Sequence, residues 1–147
     1  MRELGGVKTP GRYDRAELLV ALWVLGAPPN EKLPTSHGIL DRALQKVKDL
    51  LPAELASLTF GPEVFGPRCH ELPDILCAAR ELLLTNGSSP AYLITFPYLA
   101  ASVRLPHEEA EEIVLDHGMD IDDATRIGGA LFTEAARLES EFMGQVA

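Results

Sequence analysis

The chain has 147 residues, of which 46% are hydrophobic and 24% charged, and this composition is typical of a folded globular domain. No apolar run approaches the ~18 residues that a membrane span requires, and the first residues lack the long apolar region of a secretion signal. Two cysteines are too few for a disulfide framework, and a net charge of −9 disfavours contact with phosphates or anionic membranes. We therefore expect a cytoplasmic protein that does not contact membranes.

The negative charge is concentrated in the C-terminal part of the sequence. Residues 1–92 carry a net charge of −1, whereas residues 93–147 carry −8. An acidic surface repels the phosphates of nucleic acids. Any contact with DNA is therefore expected from the N-terminal part.

The first predicted helix follows a short arm, residues 1–12, in which glycine and proline occur without hydrophobic periodicity. Asp14 and Glu17 have the spacing of a capping box that would begin the helix. Leu18 to Leu25 is apolar on nearly every face, so the helix is expected at the centre of the fold. Gly26 is expected to end it.

The second predicted helix is amphipathic and extends from a Ser36 cap to Leu51. Its buried stripe includes Ile39, Leu44 and Val47. The opposite, exposed side is predicted to carry Asp41, Arg42, Gln45, Lys46, Lys48 and Asp49.

An aromatic-Gly-Pro triplet occurs twice in the segment Phe60–Pro67. Proline restricts φ and glycine admits unusual backbone conformations, so the segment is predicted to be a rigid connector between helices. The helix after it has Pro73 in its first turn and is expected to stop at Asn86-Gly87. Its predicted apolar stripe is Leu72, Ile75, Leu76, Ala79, Leu82 and Leu83.

The remaining sequence predicts a strand at residues 91–96, a weaker strand candidate at residues 102–105 and two helices. The first of these helices starts after Pro106 and ends at Gly118. The last is capped by Asp122 or Asp123 and contains Gly128-Gly129. Because glycine costs about 1 kcal/mol in a helix interior, the pair indicates a close helix–helix approach or a kink, and packing is the favoured reason.

These elements predict one mostly α domain. A winged-helix-like helical core with at most a small β-hairpin is expected within residues 13–96, followed by an acidic helical pair within residues 97–147. The helix at residues 122–143 is the predicted surface for a possible homodimer.

The side chains that could act as nucleophiles, bases or metal ligands do not form a recognisable catalytic or metal-binding motif. Cys69 and His70 place a thiol beside an imidazole, but adjacent side chains generally diverge, so an enzyme is not expected. Nitrogen and oxygen donors that could bind a metal occur close together in the C-terminal part, at His107, Glu111, Asp116, His117, Asp120, Asp122 and Asp123. This segment matches neither the H-E-x-x-H nor the calcium-loop pattern. The sequence thus predicts no catalytic residue, no metal ligand and no cofactor.

The stretch Phe65-Gly66-Pro67-Arg68-Cys69-His70-Glu71-Leu72 resembles the aromatic-Gly-Pro-x-x-x-Glu-Leu signature of the Panacea group. That group comprises prokaryotic winged-helix-like proteins and includes antitoxins similar to the SocA proteolytic adaptor. The resemblance implies a small regulatory or adaptor domain. It implies no catalytic residue.

The predicted function is a non-enzymatic, antitoxin-like or transcription-associated module that binds a protein partner. The candidate contact residues are Phe60, Phe65, Arg68, His70, Arg42, Lys46 and Lys48. One alternative is a winged-helix regulator that binds DNA directly as a dimer, although the helix at residues 72–84 is poor in the basic and amide side chains that read bases. A small enzyme or metal-binding protein is the third possibility.

Overall fold

The computed structural model describes residues 11–35, 38–61, 68–86 and 100–146, and most of them are helical. The helices are α1 (Arg12–Gly26), α2 (Leu40–Lys46), α3 (Ala53–Ala56), α4 (Leu72–Glu81), α5 (His107–Asp116) and α6 (Ile121–Val146), with a 3-10 turn at Lys48–Leu50. The strands are β1 (Leu33–Pro34), β2 (Phe60–Gly61), β3 (Arg68–Cys69), β4 (Thr85–Asn86) and β5 (Ala100–Val103). The prediction of a mostly α fold with little β-structure and a C-terminal helical pair is confirmed.

The strands form two small antiparallel sheets. One has the order β1-β5-β4, with Leu33 opposite Ala101 and Thr85 opposite Val103. The other pairs β2 with β3. Strand β5 overlaps the weaker strand candidate at residues 102–105, whereas the candidate at residues 91–96 lies outside the described residues.

Helix α1 is the centre of the fold, as its apolar sequence predicted. Every residue from Leu18 to Trp23 is buried, and the helix packs against α4, α5 and α6. The predicted start of this helix is wrong. It begins at Arg12 with Gly11 as its N-cap, so Asp14 lies inside the first turn and does not cap it. Gly26 ends the helix, as predicted.

Helices α1 and α6 approach each other at two glycines. A Cβ atom built on Gly128 would lie 1.9 Å from the carbonyl oxygen of Leu22, and one built on Gly26 would lie 2.0 Å from the carbonyl carbon of Gly128. No side chain fits at such distances, so the two backbones pack directly. The predicted close helix–helix approach is confirmed. Gly128 of α6 approaches α1 of the same chain.

Helix α2 is shorter than the predicted second helix. It spans Leu40–Lys46 and is followed by the 3-10 turn, while the proposed Ser36 cap lies outside the described residues. One side chain of the predicted exposed side is misplaced. Asp41 is only 3% exposed and is directed into the protein, where it binds backbone amides.

Helix α4 ends earlier than predicted, at Glu81. Pro73 lies in its first turn, as expected, but Asn86 belongs to β4 and does not stop the helix. The chain leaves the helix through a Schellman turn, in which the amide of Leu84 donates to the carbonyl of Ala79. Leu83 occupies the left-handed position of this turn, with φ of 63°. Its side chain is therefore exposed instead of continuing the apolar stripe.

Helix α5 begins after Pro106 and is followed by a turn with Gly118 at φ of 81°, close to the predicted boundaries. The cap of α6 differs from the prediction. A carboxylate oxygen of Asp120 accepts a hydrogen bond from the amide of Asp123 at 3.2 Å, so Asp120 caps the helix instead of Asp122 or Asp123.

Candidate functional site

A buried aspartate attaches the β2–β3 pair to helix α2. One carboxylate oxygen of Asp41 accepts a hydrogen bond from the amide of Cys69 at 2.8 Å. The other accepts a hydrogen bond from the amide of Gly38 at 3.3 Å. Buried backbone donors need such partners because an unpaired donor away from water is costly. Asp41 therefore fixes β3 against the start of α2.

A second carboxylate fixes the other side of the same pair. Glu71 accepts hydrogen bonds from the amide of Thr59 at 2.9 Å and from its hydroxyl at 2.7 Å. Burial raises the pKa of Glu71, but these hydrogen bonds favour the ionised form and bring its pKa below the ordinary value. The Glu71 carboxylate, two residues after β3, thus binds the residue immediately before β2 and closes the open end of the pair.

Four of the predicted contact residues lie on or beside the β2–β3 pair. Phe60 is half-buried against the core, and the Nζ atom of Lys48 lies 5.4 Å from the centroid of its ring. Arg68 is opposite Gly61, and the imidazole of His70 fills the space where a Cβ on Gly61 would lie. We call Lys48, Phe60, Arg68 and His70 the ribbon surface. Phe65 lies outside the described residues.

The other two predicted contact residues, Arg42 and Lys46, act electrostatically on a carboxylate of α6. The carboxylate of Glu134 accepts hydrogen bonds from Arg137, and this contact, with the charges of Lys46 and Arg42, lowers the pKa of Glu134. Arg42 and Lys46 thus offset negative charge on α6. The structure does not place them on the ribbon surface.

The Cys69–His70 pair does not form a nucleophile and base. Cys69 is fully buried, and burial raises the pKa of its thiol to about 12. His70 is exposed, with its Nδ1 atom 3.3 Å from the hydroxyl of Thr59. A thiol that stays protonated at neutral pH is a poor nucleophile.

The burial of Cys69 predicts unequal thiol reactivity. In the native protein we expect a disulfide reagent such as DTNB to modify the half-buried Cys77 first, and Cys69 only after denaturant is added. The protein thiolate must reach and attack the disulfide of the reagent, which then releases thionitrobenzoate. The measurement is the absorbance of released thionitrobenzoate in the native and denatured protein. A Cys77→Ser variant should lose the faster phase. Rapid native-state modification in that variant would contradict the assignment.

An exposed apolar patch lies where α4 ends, and the sequence pattern did not reveal it. Leu83 is 78% exposed, beside Leu82 at 37%. Tyr13 reaches the same turn from α1, where its hydroxyl donates to Glu81 at 2.6 Å. We call Tyr13, Leu82 and Leu83 the α4-end patch. Leucine spacing had assigned both leucines to the core stripe, because periodicity alone does not show where the helix stops.

An acidic cleft separates the start of α1 from the end of α5. Its volume is about 820 Å³, and its walls include Asp14 and Glu17 from α1, Glu54 from α3 and His117 after α5. One ligand atom each of Asp14, Glu17 and His117 lies within 4.8 Å of the other two. The Nδ1 atom of His117 is 2.8 Å from a carboxylate oxygen of Glu54.

The structure brings together few of the residues that were considered for a metal site from the sequence. His107 and Glu111 form an exposed pair at 3.6 Å, away from the cleft walls. Asp123 pairs with Arg126, and Asp120 caps α6. The carboxylates that approach His117 come from residues about 60 to 100 positions earlier in the chain, which no spacing rule on one helix could find.

Among the described residues, no helix is both long and apolar enough to cross a membrane. Comparison with protein-family models, curated proteins and solved structures found no match to this chain.

Proposed function

We propose that the protein is a non-enzymatic regulatory domain that binds a protein partner through the α4-end patch. The observation that carries this proposal is the conformation and exposure of Leu83. The ribbon surface, which the sequence favoured, is a second surface that the same experiment tests.

Leu83 occupies a position that normally belongs to glycine. After α5 the chain makes the same Schellman turn, and there the left-handed residue is Gly118. A left-handed conformation costs a residue with a Cβ roughly 1–2 kcal/mol. Leu83 adds the exposure of a large apolar side chain to that cost, since it is 78% exposed. Such strain commonly occurs at functional positions, and a protein partner would bury this side chain.

The order of the elements supports a winged-helix-like core. The chain runs α1, β1, α2, α4, β4, β5, and the last strand inserts between the other two in the sheet. In this arrangement α4 occupies the position of the helix that enters the DNA groove in winged-helix proteins. The insertion between α2 and α4 carries α3 and the β2–β3 pair.

The charge on α4 favours a protein partner over DNA. Its exposed residues are Asp74, Arg80 and Glu81, which sum to a net charge of −1, and Glu81 is paired with Arg12. Helices that bind DNA present cations to phosphates and bidentate donors to bases. The element order still favours DNA as the second candidate, so the test includes it.

The test compares the proteins captured by variants of the full chain from extracts of its source cells. Leu83→Gly should reduce capture of the partner at least tenfold, because the apolar contact is removed. Relief of the left-handed strain should also raise the unfolding free energy by about 0.5–1 kcal/mol, since the greater freedom of glycine in the unfolded chain offsets part of the gain. Lost binding in a more stable protein cannot be attributed to unfolding.

Leu115→Ala is the matched control, because Leu115 is also an exposed leucine, at 54%, but lies on α5 and not in the turn after α4. This variant should capture the partner as the wild type does. If Leu83→Gly captures the same proteins in the same amounts, the α4-end patch is not the contact surface. A loss with Arg68→Glu alone would assign the contact to the ribbon surface. Binding to mixed duplex DNA that weakens steeply with salt would instead support the DNA alternative.

A further inference from the structure

We propose that the acidic cleft is a binding site for one divalent first-row metal ion, with Zn²⁺ preferred, whose protein ligands are Asp14, Glu17 and His117. This site is independent of the proposed function and lies on other elements than the α4-end patch.

The ligand atoms are arranged closely enough for one ion. Zn²⁺ binds nitrogen and carboxylate oxygen at about 2.0–2.2 Å, which places tetrahedral ligands roughly 3–4 Å from each other. The three atoms in the cleft already lie within 4.8 Å of one another, so small side-chain rotations would complete the site. Three protein ligands leave a further position for water in the open cleft.

The contact between His117 and Glu54 resembles the outer contacts of metal-binding histidines. Such histidines usually donate one ring N–H to a carboxylate, which fixes the tautomer and leaves the other nitrogen to bind the ion. Here the Nδ1 atom of His117 lies 2.8 Å from a carboxylate oxygen of Glu54, and the tautomer that donates from Nδ1 to Glu54 is the one that offers Nε2 to an ion. Glu54 is therefore a positioning residue, and His117 supplies the nitrogen ligand.

The charges around the cleft favour a cation. Its lining includes four carboxylates, those of Asp14, Glu17, Glu54 and Asp116, and no described lining residue is a lysine or arginine. The adjacent Arg15 donates to the carbonyl of Glu54 and to the hydroxyl of Ser57. A divalent ion would replace the repulsion between Asp14 and Glu17 with attraction to both carboxylates.

The mixed donor set selects the class of ion. Imidazole nitrogen suits Zn²⁺ and other first-row metals, whereas Mg²⁺ and Ca²⁺ prefer all-oxygen sites. An ion held by α1 and by the residue after α5 would link the first helix of the described structure to the C-terminal helical pair. We therefore infer a structural role, in which the metal stabilises the docking of α5 on α1.

The test uses the full chain without a histidine tag and ZnCl₂ as the probe. Calorimetric titration should give one Zn²⁺ per chain. Because only the folded state assembles the ligands, Zn²⁺ at a hundredfold excess over Kd should raise Tm by roughly 5–10 °C. Asp14→Asn, Glu17→Gln and His117→Ala should each weaken binding at least tenfold. Glu54→Gln should weaken it by about 10–100-fold, as expected for an outer contact.

His107→Ala is the matched control, because His107 also pairs with a glutamate but lies outside the cleft walls. This variant should bind Zn²⁺ with unchanged affinity. The proposal is overturned if the wild-type chain binds no Zn²⁺, or if the three cleft variants bind it as tightly as the wild type. Equal affinity for Mg²⁺ or Ca²⁺ would also overturn it, because an ion that prefers oxygen ligands would not need the nitrogen of His117.

Discussion

Gly128→Ala is expected to lower the free energy of unfolding by about 3 kcal/mol or more, the upper end of the range for inserting a methyl group into a packed interior. The new Cβ would lie 1.9 Å from the carbonyl oxygen of Leu22, which belongs to the buried central stretch of α1. A side chain in that position could rotate away, but a helical carbonyl cannot. The methyl group therefore has to push α6 away from α1, which disturbs the contacts along both helices.

The neighbouring glycine is the matched control. A Cβ on Gly129 would have the carbonyl oxygen of Gly26 as its nearest neighbour, at the ordinary contact distance of 3.9 Å. Gly129→Ala should therefore stabilise the protein by up to about 1 kcal/mol, because alanine is the better helix former. Two identical substitutions at adjacent positions thus have opposite expected signs.

Urea unfolding followed by circular dichroism measures both effects as changes in the midpoint at an unchanged slope. A slope that falls in Gly128→Ala would indicate that the native state has loosened. If Gly128→Ala and Gly129→Ala change the stability equally, the direct backbone contact between α1 and α6 is incorrect.

Local patterns predicted the features that depend on one segment or on general packing rules. The apolar run from Leu18 to Leu25 identified the central helix because a helix that is apolar on every face can only be buried. The Gly128-Gly129 pair indicated a close approach for a similar reason, since its cost within a helix requires compensation. Neither pattern could name α1 as the partner of α6, because a sequence pattern does not specify which surfaces meet.

Features that depend on distant partners were missed or misassigned. Asp41 was placed on the exposed side of its helix, because charged residues are rarely buried unless they are paired. Its partner is the amide of Cys69, a backbone group that any residue offers and that no side-chain pattern marks. The acidic cleft was missed for the same reason, since Asp14 and His117 meet only after α5 docks on α1.

Leu83 shows a different limit of periodicity. Its spacing continues the buried stripe of α4, yet the helix ends two residues earlier and the side chain is directed into solvent. A glycine there would have marked the stop, as Gly118 does after α5. A leucine occupies this left-handed position instead of a glycine, and that exception is why the position is informative about function.

Asp41→Ala is the second substitution with a large expected effect, a loss of about 3 kcal/mol. The change leaves the amides of Cys69 and Gly38 without their acceptor inside the protein, and each unsatisfied buried donor costs about 1–3 kcal/mol. Asp41→Asn should lose less, because its amide carbonyl can still accept one of the two hydrogen bonds.

The control for this substitution is Asp49→Ala, which removes an exposed carboxylate from the 3-10 turn next to α2 and should change stability by no more than about 0.5 kcal/mol. Equilibrium unfolding measures the stability differences, and hydrogen exchange locates them. In Asp41→Ala the amide of Cys69 should exchange faster than the amides in the middle of α1, because β3 separates from α2 before the central helix opens. Equal stability of the Asp41→Ala and Asp49→Ala variants would show that Asp41 does not hold the β2–β3 pair. The ribbon surface would then lack the rigid attachment that a binding surface of fixed geometry requires.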